Sequence, residues 1–113
     1  MNEHPITLDQ IVAWLRSKER NLGDSGVTLV EVRERRVHVP AAAADFEATH
    51  ATGRINAWVS GEFDFEVPRK EDGTDLLLRH EDVSSLDEPI LERAYADFLR
   101  RMLNVDETVP GQP

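Results

Sequence analysis

Gly53-Arg54-Ile55-Asn56-Ala57-Trp58-Val59-Ser60-Gly61-Glu62-Phe63-Asp64-Phe65-Glu66-Val67 is the stretch whose reading decides the fold. Ile55, Ala57 and Val59 alternate with Arg54, Asn56 and Trp58, and Phe63, Phe65 and Val67 alternate with Asp64 and Glu66. A period of two marks a strand with one buried face. A two-residue turn at Ser60-Gly61 would put Ile55, Ala57 and Val59 on the same face as Glu62, Asp64 and Glu66. A three-residue loop, Ser60-Gly61-Glu62, instead pairs Val59 with Phe63, Ala57 with Phe65 and Ile55 with Val67. All six apolar side chains then share a face. A one-residue slip would turn every side chain over, so the hydrophobic pattern selects the odd loop. The spacing predicts positive φ at Gly61 or a neighbour, with Trp58 across from Asp64 and Asn56 across from Glu66.

Upstream, Ala44, Phe46 and Ala48 alternate with Asp45, Glu47 and Thr49. Before them, Val37-His38-Val39 is a short alternating piece stopped by Pro40. Val27 to about Arg33 is β-rich, with two candidate inward sets, Val27 and Leu29 or Val30 and Val32. Downstream, Lys70-Glu71-Asp72-Gly73 reads as a turn, followed by a strand from Thr74 to about His80 carrying Leu76, Leu77 and Leu78. Helices flank the strands. One runs from about Thr7 to Leu22, with capping-box spacing at Thr7 and Gln10, an apolar stripe of Leu8, Ile11, Val12 and Leu15, and Gly23 as its stop. Trp14, beside that stripe, is a core residue. The other helix opens at Ser85 to Pro89, a second capping-box spacing, and carries Ile90, Leu91, Ala94, Tyr95, Phe98, Leu99, Met102 and Leu103.

These elements predict an α+β fold: an N-terminal helix, a four- to five-stranded, mostly antiparallel meander sheet, and a C-terminal helix, with both helices on one face of the sheet. Residues 1–113 read as a single domain, ordered over about 6–103, with a frayed tail at 104–113.

The chain has 113 residues, no cysteine, and 22 acidic against 13 basic residues, for a net charge of −9. Residues 1–40 carry six of each sign and residues 93–113 three of each, so thirteen acids against four bases in 41–92 hold the whole imbalance. Such a field repels nucleic acid and anionic lipid and favours a basic partner. The basic run Arg33, Arg35 and Arg36 is interleaved with Glu31 and Glu34 and reads as a solvated strand end. There is no apolar leader, and no apolar run approaches the roughly 20 residues of a bilayer span. The chain reads as cytoplasmic.

Catalytic signals are sparse. Without cysteine there is no thiolate ligand or nucleophile. His4, His38, His50 and His80 lie in separate segments without metal-ligand spacing, and the glycines all read as turn residues rather than a phosphate-binding loop. No enzyme activity, cofactor or metal is expected; a pocket joining His50 or His80 to a carboxylate would reverse that reading. The sheet's outer face is more informative. Alternation sends Asp45, Glu47, Arg54, Asn56, Trp58, Asp64 and Glu66 to the side opposite the apolar set. An aromatic ring among carboxylates suits a protein interface, the ring supplying buried area and the acids selecting a basic partner.

The segments Ala44-Asp45-Phe46-Glu47 and Gly53 to Val67 resemble the TriTu type of immunity protein from bacterial polymorphic-toxin systems. Those chains similarly place a DFES segment before a GRITVWESG strand and an acidic strand ending in a hydrophobic pair. This chain departs from that pattern at Asn56-Ala57 and at Val59. The resemblance implies a cytosolic antidote that binds and neutralises a cognate toxin domain without catalysis. Asp45, Glu47, Glu62, Asp64 and Glu66 would then meet lysine or arginine on a basic toxin, with Asn56 beside them and Trp58 as the central anchor. The expected state is a monomer or weak dimer, with no nucleic-acid or membrane partner. The alternative is an acidic adaptor or regulatory module with another partner, self-associating through a sheet edge.

Overall fold

The computed structural model describes residues 6–36 and 38–104. In chain order these form α1 (Leu8–Ser17), a short 3-10 turn (Lys18–Asn21), β1 (Thr28–Arg35), β2 (Ala41–Glu47), β3 (Thr52–Trp58), β4 (Glu62–Pro68), β5 (Asp75–Asp82) and α2 (Pro89–Leu103). The strands make one sheet in the order β1-β2-β3-β4-β5, each antiparallel to the next. The chain is therefore the expected α+β meander. α1 covers β1 to β3 and α2 covers β3 to β5, on the same face. The tail expected at 104–113 lies outside the described residues apart from Asn104, as do His4, Val37 and Gly111.

The β3–β4 hairpin shows what the apolar pattern decides. All six apolar side chains point inward, with Ile55, Ala57, Phe63, Phe65 and Val67 fully buried and Val59 nearly so. The loop is odd, and Gly61 has φ +100°. The register, however, differs from the expected one by two residues. Ala57 pairs with Phe63, Asn56 with Asp64, Ile55 with Phe65 and Arg54 with Glu66, so the loop is Val59-Ser60-Gly61. The Gly61 N–H donates to the Trp58 carbonyl at 2.9 Å, closing a tight turn that needs its third loop residue left-handed. A shift of two leaves every side chain on its own face, so hydrophobicity settles the parity and the glycine settles the register.

β1 resolves its two candidate faces by using both. A bulge between Leu29 and Glu31 reverses the strand's phase at Val30. Leu29, paired with Phe46, and Val32, paired with Ala44, therefore both face the core, while Val30 is 61% exposed. The extra residue of a bulge allows this change of phase. His38-Val39 is a bend, not the expected strand piece: His38 sits at φ +58°, outside the extended region. Gly53 is likewise not a turn residue. It lies within β3, and a Cβ there would come within 2.5 Å of Phe98 Cζ and 2.7 Å of Met102 Sδ. Its missing side chain lets α2 approach the sheet. β5 extends past His80 to Asp82.

Helix starts and stops follow local chemistry. Thr7 and Gln10 form the expected capping box, each side chain bonding the other's backbone N–H. α1 is shorter than expected, because the chain tightens into the 3-10 turn before Gly23, at φ +41°. At α2 the N-cap is Glu88, not Ser85. The Glu88 carboxylate reaches back to the Ser84 and Ser85 N–H groups, while Ser85 Oγ accepts from Asp87 N at 3.2 Å. With its hydroxyl engaged in that turn, Ser85 does not cap, and Pro89 begins the helix.

A charged contact joins the two helices above the core. Lys18 is 7% exposed. Its ammonium donates to both carboxylate oxygens of Glu92 at 2.9 and 2.7 Å, and lies 4.3 Å over the Trp14 ring and 4.8 Å over the Tyr95 ring. Trp14 Nε1 donates to the same carboxylate at 3.2 Å. Trp14 packs edge-on against Phe63 at 5.6 Å and is partly buried against the core, the place expected of it. Burial, with the nearby Glu92 charge adding to it, pushes the Tyr95 phenol up to about 12.

Two stability outcomes follow. A Cβ at Gly61 would lie 2.1 Å from the Val83 carbonyl oxygen, whereas one at Gly73, φ +73°, meets nothing within 4 Å. Gly61→Ala is expected to lose about 3 kcal/mol in urea unfolding, from strain plus clash, and Gly73→Ala about 1 kcal/mol from strain alone. Equal losses would show that the Val83 contact does not matter. The buried Tyr95 hydroxyl has no hydrogen-bond partner among the described residues. Tyr95→Phe should therefore unfold with a free energy up to about 1 kcal/mol higher; a clear loss would reveal a partner for the hydroxyl.

Candidate functional site

With both helices on one side, no described element covers the other face of the sheet, and the register arranges its side chains in rows. One row runs Arg33 (β1), Ala43 (β2), Asn56 (β3), Asp64 (β4), His80 (β5). The next runs Glu31, Asp45, Arg54, Glu66, Leu78. At the β3–β4 turn end, Arg35 pairs with Ala41 and Ala41 with Trp58, and Glu62 pairs with Asp82. All seven residues expected at the partner surface lie on this face, but they do not form one uniform patch.

Asp45 is enclosed by cations. Its two oxygens accept from Arg33 Nε at 3.0 Å and Arg54 Nε at 2.8 Å. Glu47 takes an ion pair from Lys70 at 3.2 Å. These two acids are spent largely within the molecule. The remaining acids gather on β4 and β5. Glu62 bonds only the Ser60 hydroxyl, at 3.0 Å, among the contacts described, and Glu66 lies beside Arg54 across the ladder. Trp58 is not across from Asp64 as expected. The two-residue difference in register gives Asp64 to Asn56 and leaves Trp58 at the turn end, next to Ala41.

His80 joins this acidic end. Asp64 bonds its Nδ1 and Asp82 its Nε2, the latter at 3.1 Å. The bond to Asp64 and then the bond to Asp82 raise its pKa above the ordinary 6.5. The spacing His80-x-Asp82 signals this grouping, since alternate strand residues share a face, but Asp64 enters only through the register. Glu62, His80 and Asp82 each offer a ligand atom within 4.8 Å of the others. All three are exposed and both ring nitrogens already bond carboxylates, an ordinary arrangement for a solvated surface. The His80 side chain is 46% exposed on open strand surface, and His50 lies exposed in the bend after β2, so neither joins a carboxylate in a pocket.

A shallow depression lies at the other side of the same face. Arg33, Glu34, Arg35, Ala41, Ala42, Ala43, Asn56 and Trp58 line about 210 Å³. The run Ala41-Ala42-Ala43-Ala44 was its signal: once Ala42 and Ala44 pack inward, Ala41 and Ala43 must face outward, and they are too small to fill the space between neighbouring strands.

The fold and this face together define a small two-layer α+β protein, with helices behind and a charged sheet surface in front. The chain belongs to the TriTu immunity protein family: the family model described as "Immunity protein TriTu" matches residues 9–101. No curated protein matches the chain. Among the described residues, no helix is long and apolar enough to cross a membrane.

The raised His80 pKa sets a pH dependence. A group whose folded pKa exceeds its unfolded value stabilises the fold fully below the unfolded value, near 6.5, and loses that contribution as pH rises through the folded value. NMR titration of the ring should give a midpoint above 6.5 that falls in Asp64→Asn, and stability in His80→Gln should respond less to pH across that window. An unshifted ring midpoint in the wild type would contradict the two-carboxylate geometry.

Proposed function

We propose that this chain is a non-catalytic immunity protein that binds a cognate bacterial toxin domain in the cytoplasm and blocks it by occlusion. The observation that carries the reading is the family membership over residues 9–101, combined with a sheet face that no helix covers among the described residues. The charge of that face supports a basic toxin. Glu62, Asp64 and Glu66 stand along one face of β4, with Asp82 next to them on β5; among the described residues Arg54 faces Glu66 across the ladder and His80 bonds Asp64 and Asp82, which leaves acid in excess there. An acid row of this kind raises the association rate with a basic surface and repels nucleic acid competing for it. It favours a toxin that itself handles nucleic acid, because such toxins are basic.

The seven surface residues then divide by role. Glu62, Asp64 and Glu66 supply long-range attraction, and Asn56 and Trp58 supply the desolvated contact beside them. Asp45 and Glu47, held by Arg33, Arg54 and Lys70, chiefly hold those basic side chains in place. Surface ion pairs contribute little to stability, so altering the β4 acids should leave the fold intact.

The test takes as its probe a candidate toxin domain, sought in the gene adjacent to that of this chain. Asp64→Lys combined with Glu66→Lys should slow association at low salt by about 10-fold or more and flatten its salt dependence, with the melting curve nearly unchanged. Unchanged association would remove the acid row from the interface. If the wild-type chain neither binds nor protects against that toxin, the adaptor reading takes over.

A further inference from the structure

The depression beside Trp58 gives the outer face a second feature, a cation at the rim of a notch. Its floor is the methyl groups of Ala41 and Ala43, Trp58 and Asn56 form one wall, and Arg33 and Arg35 form the rim on β1. The two rim arginines differ. Arg33 is held by Asp45 at 2.9 Å and Glu31 at 3.3 Å, and the neighbouring Arg36 by Glu34 at 2.6 Å. Arg35 has no carboxylate partner among the described residues. Among the described residues it is a cation without a carboxylate partner, at the edge of the notch, on a chain of net charge −9.

The dimensions narrow the occupant. About 210 Å³ is below the roughly 300–1,000 Å³ of pockets that enclose small-molecule ligands. It has room for one side chain. A single guanidinium with no carboxylate partner among the described residues matches a singly charged acid, and the surplus negative charge elsewhere disfavours a phosphate dianion or a polyanion. Trp58 supplies a rigid aromatic wall, the kind of surface on which interface anchors are built.

Resting on the toxin-binding reading above, we propose that this notch receives one aspartate or glutamate side chain of the toxin, its carboxylate on Arg35 and its stem over Ala41 and Ala43 against Trp58. The toxin surface that fits is then bipolar, with an acidic knob for the β1 side and basic residues for Glu62, Asp64 and Glu66 on the β4 side. Because Arg35 and the β4 acids have opposite sign, a toxin docked the wrong way round meets like charge at both points. The acid row brings the partner in, and the notch fixes its orientation and selects among basic toxins.

The experiment measures binding kinetics of the full chain with that same candidate toxin domain. Arg35→Glu reverses the rim charge, and Ala43→Leu fills the notch without changing charge. Each should speed dissociation at least 10-fold, with the circular dichroism spectrum and melting curve of the wild type. Replacing one toxin acid with arginine should restore binding to Arg35→Glu, which identifies the knob. Wild-type dissociation in both Arg35→Glu and Ala43→Leu, while Asp64→Lys with Glu66→Lys still slows association, would overturn the notch and leave the acid row standing. Loss of binding in Arg35→Glu that no toxin acid can restore would also overturn it. A wild-type chain that does not bind the toxin at all would fail the earlier reading, and this one with it.

Discussion

The backbone of Gly61 is the constraint on which the rest of the sheet depends. Its N–H bonds the Trp58 carbonyl at 2.9 Å and its carbonyl accepts the Val83 N–H at 2.8 Å, so one residue closes the β3–β4 turn and holds the end of β5 against it. At φ +100° the position is open to glycine and strained for any other residue. The register fixed here sets which residue of β3 faces which residue of β4, and the β4–β5 ladder continues from it. Phe63 and Phe65 therefore stack on the core side at 6.4 Å, and the charged rows on the far side line up as they do.

Legibility in the sequence followed the physical strength of each signal. Alternation revealed the strands, their inward residues and the helix-covered face, because burying an apolar side chain is the largest favourable term a short segment contributes. The Thr7–Gln10 cap and the left-handed Gly23 and Gly61 were legible for a similar reason, since few residues satisfy those geometries. What pattern could not supply was anything that leaves side-chain parity unchanged. The two-residue offset of the hairpin keeps every residue on its face, so Trp58 was assigned the wrong neighbour. The bulge at Val30 mixes two phases in one strand, which reads as ambiguity. Gly53 was taken for a turn residue because its role is set by Phe98 and Met102, distant in sequence.

The candidate surface was legible as a list of residues and illegible as an electrostatic pattern. Composition places the excess acid in the middle of the chain, yet Asp45 and Glu47 are compensated by Arg33, Arg54 and Lys70, which come from other strands or the β4–β5 turn. The same applies to the arginine run. Read along the chain it alternates with glutamates and looks neutral. Across the sheet, Arg33 is consumed by its neighbours, whereas Arg35 meets no carboxylate among the described residues. The buried Lys18, gripped by Glu92 between two aromatic rings, is a further contact that only the docking of α1 beside α2 creates.

The irregularity at Val30 has a consequence beyond the core. A five-stranded open sheet has two outer edges, and an outer edge is a template on which another polypeptide can zip. On β1 that template is interrupted: the extra residue breaks the even spacing of the free amides, and Glu31, Arg33, Glu34 and Arg35 crowd what remains with charge. A second copy arriving edge to edge would lose step after a few hydrogen bonds. This misfit along β1 works against the first step toward a fibril.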